Sequence, residues 1–366
     1  MEIETQQRAW EGGRLVQSAS ESSRKLDYEA EARLVAEARA AWERRAKGEV
    51  EDDDEDDPEM LLDYHAYRAR KFRDTWNCLY FGYCGSFEDT TKIPSMRFTD
   101  KPPQQRYSAH PCATLQIFSV KVAGRRRMGS LQWPLHVFGK IALRDSVDHN
   151  RNTIFDRTRD NCQILMQEVP NLKLTGPTRA VLLTDPVTFE VDLKVKGCTE
   201  SEDQDLSYLA VPFLNMIPLD SCLRKIGYNS KLSTLWFAVG IIVYSLEATI
   251  SVRVSGGSWQ DGFHAQIAAH TVSIGCEELI LLDSGDDNVP VAGDGAITLS
   301  RCVASVEVNG ELVVSVRAWQ GDEVVHRERG FKPKKAGRSC GTLDIGFCQM
   351  DVSVAWSLVS SYRGDE

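Results

Sequence analysis

VTFEVDLKVKG, residues 187 to 197, is the stretch that decides the fold. Val187, Phe189, Val191, Leu193 and Val195 fall on one side of an extended chain, and Thr188, Glu190, Asp192, Lys194 and Lys196 on the other. A period of two predicts a strand with one face on a core. The same rhythm recurs in ATISVRV (248 to 254), ELVVSVRAW (311 to 319) and MDVSVAWSL (350 to 358), and less regularly in TLQIFSVKVAG (114 to 124). Between these runs lie GGSWQDG (256 to 262), DSGDDN (283 to 288), AGDG (292 to 295) and the Asn309-Gly310 pair, which predicts a hairpin between VASVEV and ELVVSV. LWFAVGIIVYSL (235 to 246) is too short to span a bilayer as a helix and reads as core. No long amphipathic helix interrupts residues 112 to 360, so the expectation is a mainly β domain, an antiparallel sandwich or barrel-like structure.

Upstream the chemistry changes. Residues 25 to 48 carry Leu26, Ala30, Leu34, Ala38 and Trp42 at four-residue steps, a helical pattern stopped by Gly48. The run EVEDDDEDDPE (49 to 59) repels itself and reads as a solvated linker. Residues 60 to 80 form a second, more basic helical segment, and 82 to 111 an irregular connection. The expected organisation is therefore a helical, acidic and partly disordered arm over 1 to 111, followed by the β domain over 112 to 360.

The net charge of −10 sits almost wholly in the arm: residues 1 to 60 hold 18 acidic against 9 basic residues, which leaves −1 for the rest. A near-neutral body offers no broad footprint for nucleic acid or an anionic membrane. The first residues lack the basic start and apolar stretch of a secretory signal, so residence in the cytoplasm or nucleus is expected, without secretion or a membrane span. The 10 cysteines contain no CxxC pair and read as reduced thiols, and no metal or cofactor is expected.

Several local patterns resemble reactive sites. GRSCG (337 to 341) has the GxSxG spacing, but FKPKKA before it and TLDIG after it do not supply the strand and helix that would project Ser339, so a Gly-rich turn is expected. LILLDSGDDN (279 to 288) carries an apolar-Asp-Ser-Gly signature at Asp283 without a second copy to share a proton. Asp148, Asn150 and Asn152 stand at positions 1, 3 and 5 of a calcium loop that fails at Thr153 and Arg159. His264 and His270 would lie about 20 Å apart along a strand, and His149 beside Asp148 reads as a solvated pair. The basic clusters Arg125 to Arg127 and Lys332, Lys334, Lys335 and Arg338 read as solvated loop charge.

RDSVDHNRNTIFDRTRDN (144 to 161) is the densest polar stretch. Asn and Asp tolerate left-handed backbone, so DHNRN reads as a reversal, with Arg144, Asp145, Asp156, Arg157, Arg159 and Asp160 pairing across it. Alternating Arg partners favour ionised carboxylates, which opposes acid-base catalysis. The binding surface, if there is one, is expected at Arg144, Asp145, Asn150, Asn152, Arg157, Arg159 and Asp160.

LQIFSVKVAG, LQWPLHVFGKIALRDSVDHNRNTIFDRTRDNCQ, LTGPTRAVLLTDPVTFEVDLKVKG, SLEATISVRVSGGSWQDGF, LLDSG, SVRAWQGD and FKPKKAGRSCGTLDIG occur in order, and together they resemble DUF6598, a plant domain of unknown function abundant in grasses. The resemblance covers about 112 to 360, and MRFTD (96 to 100) is similar to segments ahead of that domain. It implies a cytosolic or nuclear plant protein and supplies no catalytic residues. Some relatives are linked to ribosome-inactivating proteins, which need a helical Glu and Arg three apart; Glu21 and Arg24 have that spacing, in Ser-rich surroundings without an apolar helix. The leading expectation is a non-enzymatic interaction protein with an unidentified protein partner, in stress or defence. Its alternatives are a hydrolase or toxin-linked defence factor, and a sugar or lipid binder that stacks its ligand on Trp133, Trp259 or Trp319.

Overall fold

A computed structural model describes residues 58–101, 109–124, 131–213, 217–230, 232–275 and 277–360. The helical pattern at 25 to 48 and most of the acidic run lie outside the described residues. Among the described residues one long helix, α1 (Pro58–Cys84), precedes the strands. Pro58 opens it, where a missing N–H leaves no bond unmade, and Gly85 at φ +90 closes it in a conformation other residues avoid. In chain order follow β1 (Cys112–Gly124), β2 (Leu135–Arg144), β3 (Asn152–Arg157), β4 (Gln163–Leu165), β5 (Val181–Leu182), β6 (Val187–Val195), β7 (Gln204–Phe213) and β8 (Cys222–Asn229). Then come β9 (Ser233–Gly257), β10 (His264–Thr271), β11 (Leu279–Asp283), β12 (Ala296–Ile297), β13 (Val303–Glu307), β14 (Leu312–Gln320), β15 (Glu323–Phe331), β16 (Gly337–Asp344) and β17 (Cys348–Ser357). The fold is mainly β, and among the described residues every pairing of these strands is antiparallel and no sheet closes into a barrel.

The 25-residue β9 organises the molecule. Its first half pairs with β1 and β8, and its second half with β12, β13 and β17. The two halves meet at Tyr244, whose φ of 48 marks a kink in an otherwise extended strand. Leu235, Phe237, Val239 and Ile241 enter one core, which β1 shares with the five-stranded sheet of β2, β3, β4, β6 and β7. Ala238, Ile242, Ala248, Ile250 and Val252 enter another, shared with the four-stranded sheet β11-β10-β14-β15. Successive side chains on a strand point to opposite faces, so the two smaller sheets cover opposite faces of the eight-stranded sheet, in a sandwich-like arrangement. Where β1 bulges at Ile117 and Ser119, the buried Arg301 donates to the carbonyls of Ile117 (2.6 Å) and Phe118 (3.4 Å). Burial with no carboxylate beside it lowers that guanidinium's pKa.

Two sequence expectations change here. Asn309-Gly310 does lie in a turn, but the strands it joins do not pair: β13 bonds to β9, and β14 bonds to β10 and β15. Ser339 lies within β16 rather than in a turn, and its hydroxyl accepts a bond from Trp356 Nε1 at 3.0 Å. The nine described cysteines are free thiols.

Residues 57–366 form one compact unit, so α1 belongs with the sheets. It packs against β7 beside Ala69 and Phe72, on the outer face of the five-stranded sheet that also carries Glu190 and Asp192, and its buried Trp76 lies against Phe87 and Arg144.

Candidate functional site

The polar stretch 144 to 161 begins at the end of β2 and reverses through His149, at φ 57, before β3. The predicted reversal is present, but its charges do not pair across it. Arg144 donates to Glu190 Oε2 at 2.7 Å, to the His149 carbonyl at 2.9 Å and to the Phe87 carbonyl at 2.6 Å. Arg151 takes the other Glu190 oxygen at 3.0 Å and also binds Glu88, which continues to Arg73. A chain of alternating charge, Arg144–Glu190–Arg151–Glu88–Arg73, therefore fastens α1 and residues 86–89 to β2 and β6.

Phe87 sits at its centre. The Arg144 guanidinium lies 4.0 Å from the ring centroid, Arg73 and Arg151 lie at 5.0 and 5.1 Å, and Trp76 meets the ring edge-on at 5.4 Å. Cations over an aromatic face gain from its quadrupole most where water is excluded. Trp76 Nε1 bonds the His149 carbonyl at 2.8 Å, and Tyr80 stacks on the His149 ring at 3.9 Å.

A second group lies beside the first. Arg179 grips Asp145 with two bonds of 2.7 Å and reaches Asp148 at 3.1 Å, while Thr91 also bonds Asp148. Glu247 accepts the amides of Met96 at 2.7 Å and Ala180 at 2.8 Å. Burial pulls the Arg179 pKa down, and the carboxylates of Asp145 and Asp148 overcome it, so the net shift is upward. Burial lowers Arg144, opposed by Glu190 and reinforced by Arg151.

These contacts decide the fate of the expected surface. Arg144, Asp145, Asn150 and Asn152 are buried, so they are not exposed contacts. Asn150 donates to the Cys84 carbonyl, and Asn152 bridges the Arg179 carbonyl and the Thr178 amide. Of the other three, Arg157 is half-buried with its Nε unpartnered, Arg159 binds Asp203 at 2.9 Å, and Asp160 is exposed. Asp156 pairs with Lys140 at 3.0 Å. The residues that sequence reasoning missed are Glu190, read as solvent-facing, together with Arg179, Trp76 and Phe87. The one available signal was a carboxylate alternating with core residues on a strand, and nothing local says that a helix covers it.

The other candidates stand apart. Asp283 is exposed, and its Oδ1 accepts the Gly285 amide at 3.0 Å in a strand-end turn. A shared-proton dyad needs two carboxylates in contact, which this turn does not supply. Trp133 packs against one core and Trp259 against the other, and Trp319 lies 5.9 Å from His264 on the four-stranded sheet. Lys332 pairs with Glu311, and Arg338 with Asp100. Arg125 to Arg127, Glu21 and Arg24 lie outside the described residues. Among the described residues no group of three or more His, Cys, Asp or Glu could hold a metal ion, and no helix is long and apolar enough to cross a membrane.

A small cavity of about 80 Å³ opens at the seam of α1 and the five-stranded sheet, bordered by Phe72, Arg73, Glu88, Arg151, Asp192 and Tyr208.

Likeness to solved structures is slight. Human GIVD cytosolic phospholipase A2 aligns at a TM-score of 0.24 and 8% identity, over 69% of this chain and 31% of that one. A two-domain fragment of extended-synaptotagmin 2 gives 0.22 and 7%, over 74% of this chain and 99% of that one. Such scores carry no argument about function, and this chain spans about a third of the phospholipase. No curated protein matches. A family model does match, over residues 114–354, which takes in β1 through most of β17 and every strand that carries the ion chain. The chain belongs to the family described as a domain of unknown function, DUF6598.

Proposed function

We propose that this chain is a non-enzymatic intracellular interaction protein, acting in stress or defence, that presents the outer face of α1 to a protein partner. The observation that carries this reading is the exposure of large aromatic side chains on a helix held rigidly from beneath. Tyr64, Tyr67 and Phe81 are 51%, 54% and 63% exposed, while Ala69 and Trp76 on the opposite side are buried. Aromatic residues are enriched at protein interfaces because they offer large contact area at low entropic cost. Arg68 binds the Tyr64 hydroxyl at 3.1 Å, which adds a cation to the same face. The charged loop at 144 to 161 supports this surface from inside instead of forming it.

Proximity labelling in the source tissue tests the reading, with the full chain compared against a Tyr64→Ser/Tyr67→Ser/Phe81→Ser variant. The expected outcome is a discrete set of labelled proteins for the natural sequence that is lost in the variant, with circular dichroism and melting unchanged. An identical labelled set for both chains contradicts it.

A further inference from the structure

The unpartnered groups of the cavity at the α1 seam select its occupant. Arg73 is held by Glu88, and Arg151 by Glu88 and Glu190, so the guanidiniums on the wall are already engaged. Asp192 is the carboxylate left over. Among the described residues it has no hydrogen-bond or ion-pair partner, because Lys140 goes to Asp156 and Lys194 to Asp205. The Tyr208 hydroxyl is likewise unpartnered among the described residues. Glu190 and Glu88 are each shared by two guanidiniums of the Arg144–Glu190–Arg151–Glu88–Arg73 chain, so Asp192 is the one carboxylate on the lining that no ion pair engages.

Asp192 is exposed as a residue, yet its carboxylate is partly desolvated where it faces the cavity, which raises its pKa against the pull of Lys194. The remaining wall is apolar, formed by Ala69, Phe72, Leu209 and Ala210. An anion would meet the unpartnered Asp192 carboxylate and find no free guanidinium. A calcium ion would find three unpartnered protein oxygens where it needs six or more. A short alkylammonium satisfies every part of the site: it donates hydrogen bonds to both unpartnered groups, sets a positive charge against the Asp192 carboxylate, and lays its stem on the apolar wall. The volume of about 80 Å³ limits that stem to a few carbons.

We propose that the seam cavity binds a small primary ammonium, with its charge on Asp192 and Tyr208 and its alkyl stem against Phe72. The site lies beneath α1 and does not depend on the outer face of the helix as an interface.

The test is an NMR titration of the full chain with ethylammonium chloride. Sodium chloride at equal ionic strength and sodium acetate serve as the neutral and anionic comparisons. The expected result is saturable shifts at the amides of Ala69, Asp192 and Tyr208, with a dissociation constant of about a millimolar, the most so small a ligand can reach. Asp192→Asn should weaken binding at least about tenfold, since it removes a charge-assisted bond, and Tyr208→Phe about threefold. The proposal is overturned if sodium chloride reproduces the shifts, if acetate binds at the same residues, or if Asp192→Asn titrates like the natural sequence. Should Asp192→Asn disturb the fold, Tyr208→Phe takes its place, and unchanged affinity in that variant overturns the proposal equally.

Discussion

Glu190 holds two buried guanidiniums at once, Arg144 on one oxygen and Arg151 on the other. Glu190→Gln would leave Arg144 without a carboxylate and Arg151 with only the Glu88 it shares with Arg73, and removal of one partner from a buried pair costs about 3–5 kcal/mol. Urea unfolding should show a loss of that size. Joint replacement Arg144→Met/Glu190→Met/Arg151→Leu should lose much less, because the desolvation penalty of all three charges disappears with them. Phe87→Ala removes the ring on which three guanidiniums converge, and a truncated buried Phe costs about 3–5 kcal/mol. Little of this was legible in the sequence. The abundance of Arg and Asp at 144 to 161 indicated the ion pairs that are present. The partners were not readable, because Glu190 lies 46 positions from Arg144 and Asp145 finds Arg179 at a distance of 34. Local spacing favours pairs within the loop, and the loop is short enough for its neighbours to point elsewhere.

α1 is the element whose attachment responds to pH. Burial raises the Glu88 pKa, but Arg151 and Arg73 outweigh it and the net shift is downward. A carboxylate depressed in the folded state stabilises the fold above its ordinary value of 4.5, and that contribution is lost as pH falls toward the folded value. Glu247 has the opposite sign: burial raises its pKa against the amides of Ala180 and Met96, so acid relieves it. Below pH 4.5, then, α1 should loosen while the segment held by Glu247 stays in place. Trp76 fluorescence followed through acid titration checks this, and Glu88→Gln should remove the transition in that window. Among the strands, Gly139 adopts φ +114, where a Cβ would stand 2.1 Å from the Asp192 carbonyl. Gly139→Ala should cost at least about 1–3 kcal/mol in melting or urea experiments by breaking the register of β2 on β6. The free outer edges of β8 and β15 carry Arg224 and Lys225, and Arg327, Glu328 and Arg329, charges that discourage edge-to-edge association.

At the scale of the whole molecule, the sheets were legible and their assembly was not. Period-two runs located β6, β14 and β17 because each buries one face in a core. The join of 235–246 to 248–254 into one strand was hidden, since Tyr244 turns out of register without a Gly or Pro to mark the place. Asn309-Gly310 signalled a reversal truly, but a turn residue does not say whether its flanking strands share a sheet. The helical pattern of 60 to 80 gave α1, and its dependence on the β domain was concealed because the residues that hold it are charged. That dependence is the centre of the account: the Arg/Asp-rich loop is an internal clasp that makes α1 part of the fold.

Native-state hydrogen exchange of the full chain measures this directly. If the clasp works as described, the α1 amides from Ala69 to Cys84 exchange as slowly as those of β6 and β7 and lose protection together in Glu190→Gln. Exchange of those amides at the rate of an isolated helix, with the sheets still protected, would contradict it.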